Sequence, residues 1–350
     1  PLRLDSGIYI YPDFTILNIR KRKEIIMLKR PLIIDCDPGI DDAECIMMLQ
    51  GSGQFDIRGI TAVHGNVPLS KTSANALFLS KMYGIDCPVY RGSEEAFIQR
   101  LSRAEYVHGN NGLIGFDYTL PEDAKFADDY AWDFIWEEAV KQNGELEIIA
   151  IGPLTNLAIA VMKYPQLPKL VKKLVIMGGA AGSGNFGVYS EYNIAQDPHA
   201  CEIVLQAGFA DFTMVDLNAC HMVYLTKEEA DALRTLPESN KFAALAKRMM
   251  EHEDSNRAKL EERGQGTFVS EDHYTCDPVA AAVIIDESIG QYVEKYVFCD
   301  CVGEMTTGQT VIDWLGFAPF KNVKIPVAMD REKFVKLYFD CVKSYDKEDC

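Results

Sequence analysis

The chain has no run of apolar residues approaching the roughly 20 that a membrane-spanning helix needs, so no such span is expected. It is short of basic residues: 35 Lys and Arg stand against 52 Asp and Glu, a formal net charge of −17. Nucleic acids and anionic membranes are bound through basic patches, so neither is expected as a partner. The ten cysteines, at 36, 45, 87, 201, 220, 276, 299, 301, 341 and 350, show no paired metal-finger spacing, and Cys299-Asp300-Cys301 is too short for the zinc pattern. They read as reduced thiols, in a cytoplasmic protein. No internal repeat or low-complexity tract is visible, which excludes solenoid arrays.

What is there suffices for a large core: 350 residues, 48% hydrophobic. Residues 1–30 mix short apolar pieces with Asp5, Asp13 and the basic run Arg20-Lys21-Arg22-Lys23, without the order of a signal peptide, and read as an N-terminal extension. Residues 31–345 read as one domain. Strand and helix signals alternate along it, the pattern of an α/β fold with an open, mostly parallel sheet and helices on both faces. Polar loops follow the strands that end near Val63, Ile151 and Met177, where open α/β sheets bind their ligands. Residues 226–263 are helical and charged with no strand signal, which predicts a smaller helical subregion leaning over the site. Tyr296 to Ile312 predicts a C-terminal hairpin turning near Thr307-Gly308, and Asp330 caps a last helix into Val342.

The densest chemistry lies between Pro31 and Ala43. Leu32, Ile33 and Ile34 form a buried strand; Pro38-Gly39 breaks it; Asp35, Asp37, Asp41 and Asp42 crowd the break. Buried carboxylates this close repel one another, so a cation is expected among them. Oxygen ligands with no His or Met nearby favour Ca²⁺ or Mg²⁺. Asp42 alone has a second reading, as a helix cap, and so has Asp277 before Pro278; Asp197-Pro198 reads as a cap followed by Pro at the first helical position. Gly182 to Gly187 spells a dinucleotide-binding pattern, but no helix opens after it, so the match is read as spurious.

Asp35-Cys-Asp37-Pro-Gly-Ile-Asp41-Asp42-Ala43, followed in order by Gly65-Asn66, Gly152-Pro-Leu-Thr-Asn156, Met177-Gly-Gly-Ala, Gly184-Asn185, Glu191-Tyr-Asn193 and Asp277-Pro278, resembles the calcium-dependent nucleoside hydrolases of the inosine-uridine-preferring type. The resemblance runs from Pro31 to the last helix. It implies Ca²⁺ held by Asp37, Asp42, Asp277 and the main-chain carbonyl of Ile151, with Asp37 also the general base toward a water that the ion acidifies. It implies a ribonucleoside substrate gripped by Asp41, Asn66, Asn185, Glu191 and Asn193, with Met177 on the 5′ side. The reaction is then hydrolysis of the N-glycosidic bond by direct attack of water. A homo-oligomer, dimer or tetramer, is also implied.

One departure concerns the leaving group. Where the best-studied branch has a His before the last metal Asp, this chain has Cys276. The thiol reads either as the acid that protonates the base or as an inert buried Cys. His108, in Val-His-Gly-Asn-Asn-Gly, and then His273 are the other donors; Tyr274 and Trp314 are candidates to stack on a base. Two rival functions stand beside the hydrolase: a nucleoside-binding protein without turnover, and a haloacid-dehalogenase-like phosphatase, which shares only Asp35 and Asp37 with this site.

Overall fold

The computed structural model describes residues 29–98, 102–120, 122, 124–262 and 270–346, and nearly all of the N-terminal extension lies outside them. The first strand, β1 (Arg30–Cys36), reads Arg-Pro-Leu-Ile-Ile-Asp-Cys because both of its faces are covered: Leu32, Ile34 and Cys36 enter one hydrophobic core and Ile33 the other. The remaining strands are β2 (Phe55–Ala62), β3 (Val89–Arg91), β4 (Leu146–Ala150), β5 (Val171–Met177), β6 (Phe212–Val215), β7 (Gly290–Lys295), β8 (Val297–Cys299), β9 (Thr310–Ile312) and β10 (Val323–Met329).

Eight of them form one sheet in the order β3-β2-β1-β4-β5-β6-β10-β7, parallel throughout except for the β10–β7 pair. From β1 the chain winds outward through β2 and β3, then returns to lay β4 on the other side of β1. That reversal makes the carboxyl ends of β1 and β4 the switch point of the sheet, where a crevice opens.

The helices are α1 (Ile40–Gly51), α2 (Leu69–Met82), α3 (Glu105–His108), α4 (Ala131–Gln142), α5 (Thr155–Lys163), α6 (Tyr192–Gln196), α7 (Pro198–Leu205), α8 (Leu217–Cys220), α9 (Lys227–Leu233), α10 (Ala243–Glu262), α11 (Asp277–Ile285) and α12 (Arg331–Lys343). On one face α1 packs against α11 and α12; on the other, α5 packs against α4 and α7. Every residue of α11 is buried, so it shows no amphipathic stripe. The helical subregion is α9 and α10. The hairpin is β8 and β9, antiparallel, and it braces the loop after β5: Thr310 Oγ1 accepts from Ala180 N–H at 2.9 Å, and Ser190 Oγ donates to Thr307 O at 2.6 Å.

Asn156 ties three segments beneath the crevice. Its amide donates to Asp35 Oδ1 at 2.8 Å and to Ala62 O at 3.2 Å, while its oxygen accepts from Ser93 N–H at 2.9 Å. Replacing it strands several buried polar groups. Asn156→Ala is expected to lower stability by roughly 2–3 kcal/mol in urea unfolding; an unchanged midpoint would show that the tie carries no load.

Candidate active site

Asp37 leaves the end of β1 and is wedged between glycines. A Cβ at Gly152 would lie 2.6 Å from its Oδ1, and one at Gly65 would collide with its Oδ2, so only glycine admits the carboxylate here. Asp37 Oδ2 accepts from Asn66 N–H at 2.7 Å, whereas the buried Oδ1 has no hydrogen-bond partner. Asp42, in the first turn of α1, accepts from Gly39 N–H at 2.8 Å and from Asp37 N–H at 3.1 Å. It is therefore a cap for α1 and a member of the acid cluster at once. Asp277 begins α11 behind Cys276 and makes no capping bond, which leaves its carboxylate free.

One oxygen from each of Asp41, Asp42 and Asp277 lies within 4.8 Å of the others. Asp37 is outside that triangle and joins it through Asp42, because Asn66 holds one of its oxygens and the other faces Gly152. Asp35, counted with the cation acids in the sequence, stands further back: Thr61 and Asn156 both donate to its Oδ1.

The acids bear the electrostatic signature of crowding. Burial, then Asp42, pushes Asp37 well above the carboxylate range; burial, then Asp41, does the same to Asp42. For Asp277 burial leads, followed by Asp41, Asp42 and Asp37. Asp41 is raised to about 6 by burial and Glu44, and Asp35 to about 7 by burial. A donor set of oxygens alone, with the orphaned Asp37 Oδ1 beside it, suits a hard divalent cation.

Above the acids lies a cavity of about 430 Å³. Asp41, Asn66, Ile151, Met177, Asn185, Glu191, Asn193, His108, Cys276 and Asp277 line it; Asp37 and Asp42 are buried beneath Asn66. Glu191 caps α6, accepting from Asn193 and Ile194 N–H at 2.8 and 3.1 Å, and takes Gly179 N–H at 3.1 Å; burial raises it to about 7. Asn193 donates to the carbonyls of Ile151 (3.0 Å) and Met177 (3.2 Å), joining the ends of β4 and β5.

At the other end, His108 Nδ1 accepts from Ile40 N–H at 3.1 Å, which leaves the ring proton on Nε2; burial lowers its pKa to about 4, so the ring is neutral at pH 7. His273 has both ring nitrogens occupied by carboxylates and cannot turn an N–H toward a ligand. Tyr274 lines the cavity, but Trp314 lies outside it, with Lys295 Nζ 5.6 Å over its ring. Sequence reading missed Glu44, Tyr192, His252, Glu253, Asn256 and Thr275, all in the lining. Only the four-residue step from His252 to Asn256 on one helix hinted at a shared face.

Among the described residues no Lys or Arg lines the cavity, and its walls combine apolar and aromatic side chains with amides, carboxylates and imidazoles. Fold and site define a carboxylate-rich hydrolase built at the switch point of a parallel sheet. The chain belongs to the inosine-uridine preferring nucleoside hydrolase family, whose family model matches residues 32–336. It is 32% identical over 304 residues to the non-specific ribonucleoside hydrolase RihC of Salmonella enteritidis, covering 87% of this chain and 94% of that protein. Among solved structures it is similar to the plant nucleoside hydrolase PpNRh1 (TM-score 0.81, 30% identity, 90% of this chain and 99% of that one). It is also similar to the purine-preferring ribonucleoside hydrolase of Gardnerella vaginalis (TM-score 0.81, 27% identity, the same coverage of each chain).

The raised acids set a pH dependence. A carboxylate whose folded pKa exceeds its unfolded value stabilises the fold at low pH and loses that contribution as pH rises through the folded value. Without a cation, lowering pH from about 8 to 6.5 is expected to raise the melting temperature, as Asp35 and Glu191 near 7 and the higher acids take up protons. A saturating divalent cation held by these acids is expected to raise it most at pH 8 and to flatten the slope. A chelated protein that melts lower at pH 6.5 than at 8 would contradict this.

Proposed function

We propose that the chain hydrolyses the N-glycosidic bond of ribonucleosides to free base and ribose, with Ca²⁺ held by Asp37, Asp42, Asp277 and the Ile151 carbonyl. The observation that carries this reading is the orphaned Asp37 Oδ1, buried where β1 and β4 part and crowded by Asp42 and Asp41. When bound, such a cation offsets the acids and polarises water and sugar hydroxyls. Calcium is favoured because it takes six to eight oxygens, which the acids, the Ile151 carbonyl, water and the sugar hydroxyls would together supply.

Asp37 acts as general base. Asn66 N–H fixes its Oδ2, so Oδ1 is the oxygen that takes the proton from the water attacking C1′. Asp41, Asn66, Asn185, Glu191 and Asn193 hold the ribose, and Met177 lies along its 5′ side. The carboxylates around the ring stabilise the oxocarbenium-like charge as the base departs. Cys276 and the neutral Nε2–H of His108 are the two donors to the leaving base. A homo-oligomer, dimer or tetramer, belongs to the same reading, and a reducing cytoplasmic setting is supported by the nine free thiols among the described residues.

Reducing-sugar assays across inosine, guanosine, adenosine, uridine and cytidine are expected to show calcium-dependent release that a chelator abolishes. Because the described walls carry no Lys or Arg for a phosphate and the clamp expects a 2′ hydroxyl, inosine 5′-monophosphate and 2′-deoxyinosine should be turned over at least about a hundredfold more slowly. Binding of inosine with no ribose release, or phosphate release from a monoester, would overturn the assignment.

For the leaving group, Cys276→Ala is expected to slow inosine far more than a p-nitrophenyl riboside, whose activated leaving group needs no proton. Equal losses on both substrates would remove the thiol from that role and leave His108.

A further inference from the structure

One buried network in the cavity wall has no task in the reaction above. Glu44 of α1, 1% exposed, accepts from Thr275 Oγ1 at 2.8 Å, from His273 Nε2 at 3.2 Å and from the Tyr338 hydroxyl of α12. The other nitrogen of His273, Nδ1, lies 2.5 Å from Oε1 of Glu253 on α10. An imidazole that meets a carboxylate oxygen at each nitrogen donates from both, so the ring is an imidazolium. Burial opposes that charge, but Glu44 and Glu253 outweigh it and hold His273 well above the ordinary imidazole range. Its backbone is fixed as well: its N–H donates to Leu225 O at 2.8 Å, and its carbonyl accepts from Leu225 N–H at 3.0 Å.

The network meets α10 where that helix leaves the core. Ala246, Met249 and Met250 are buried, whereas no described side chain of α10 from Glu251 onward is. Past that point the helix is held by polar contacts, of which Glu253 to His273 reaches deepest. The same stretch presents His252 and Asn256 to the cavity, with His252 Nε2 2.7 Å from the carbonyl of Val107, beside His108. At the far end of the network, Glu44 is three residues from Asp41 on α1.

We propose that His273 is a positioning residue: clasped between Glu44 and Glu253, it fixes the outer half of α10 to α1 and so holds the base end of the cavity at a set distance from the sugar end. The ligand end concerned is the nucleobase, and to that extent the inference rests on the nucleoside reading. Opening the clasp frees α10 but leaves the acids and the ribose-holding residues where they are.

Glu253→Ala and Glu253→Gln separate this from general loosening. Glu253→Ala is expected to raise KM for inosine about tenfold, the size that loss of a hydrogen bond to a charged group brings, with kcat falling less than KM rises. Inhibition by free ribose should not change, amide exchange should rise in residues 251–259 but not in α1, and Glu253→Gln, which keeps the acceptor, should recover most of the loss. Equal weakening of ribose and inosine, or unchanged exchange in α10, would overturn the proposal. The exchange measurement needs no turnover: an unmodified chain inert toward inosine would count against the nucleoside reading, while exchange in Glu253→Ala still decides the clasp.

Discussion

Repulsion among buried carboxylates is the constraint on which the site depends. Asp37, Asp41, Asp42 and Asp277 come from two helices and a strand end and are pressed together, Asp37 and Asp42 fully buried and Asp41 and Asp277 at the cavity floor. The protein spends part of its folding energy to hold them there. Backbone amides of residues 37, 39 and 66 donate to them, and among the described residues no Lys or Arg lines the cavity beside them. Amide donors orient the acids without cancelling their charge, so a demand for positive charge is left at one edge of the sheet.

The scaffold answers that demand with rigidity. Parallel strands buried on both faces leave β1 and β4 no freedom of register, and Asn156 locks Asp35, the backbone at Ala62 and the turn at Ser93 together below the acids. Asn193 does the same above them for β4 and β5. His273, in the cavity wall, is committed to Glu44 and Glu253. The charge balance of the acids is therefore left to an ion from solution, and the sugar end is more firmly built than the base end.

Much of this was legible in the chain because the informative residues are local. The run Leu32 to Asp42 contains a strand, its break and the acids within eleven positions, and Asp197-Pro198 and Asp330 sit at helix starts as their capping chemistry predicts. The hairpin and the charged helical stretch were legible from period and turn residues. The clasp was not, because Glu44, Glu253 and His273 are 229 residues apart at the extremes, and a buried Glu on an apolar helix carries no mark of its partner. Trp314 misled for a related reason: its ring sits outside the cavity beneath Lys295 of β7, a placement set by tertiary packing. Asp35 and Asp37, two apart, were expected to act together, but β1 ends at Cys36, so Asp37 turns into the crevice while Asp35 stays in the sheet.

The central claim is that these acids form a single high-charge site for one divalent ion. Calorimetric titration of the chelated chain with Ca²⁺, beside Asp42→Asn and Asp277→Asn, tests it most directly. The account predicts about one calcium per chain with release of protons on binding, and loss of that binding in both variants. No binding to the unmodified chain, or binding that survives both substitutions, would contradict it.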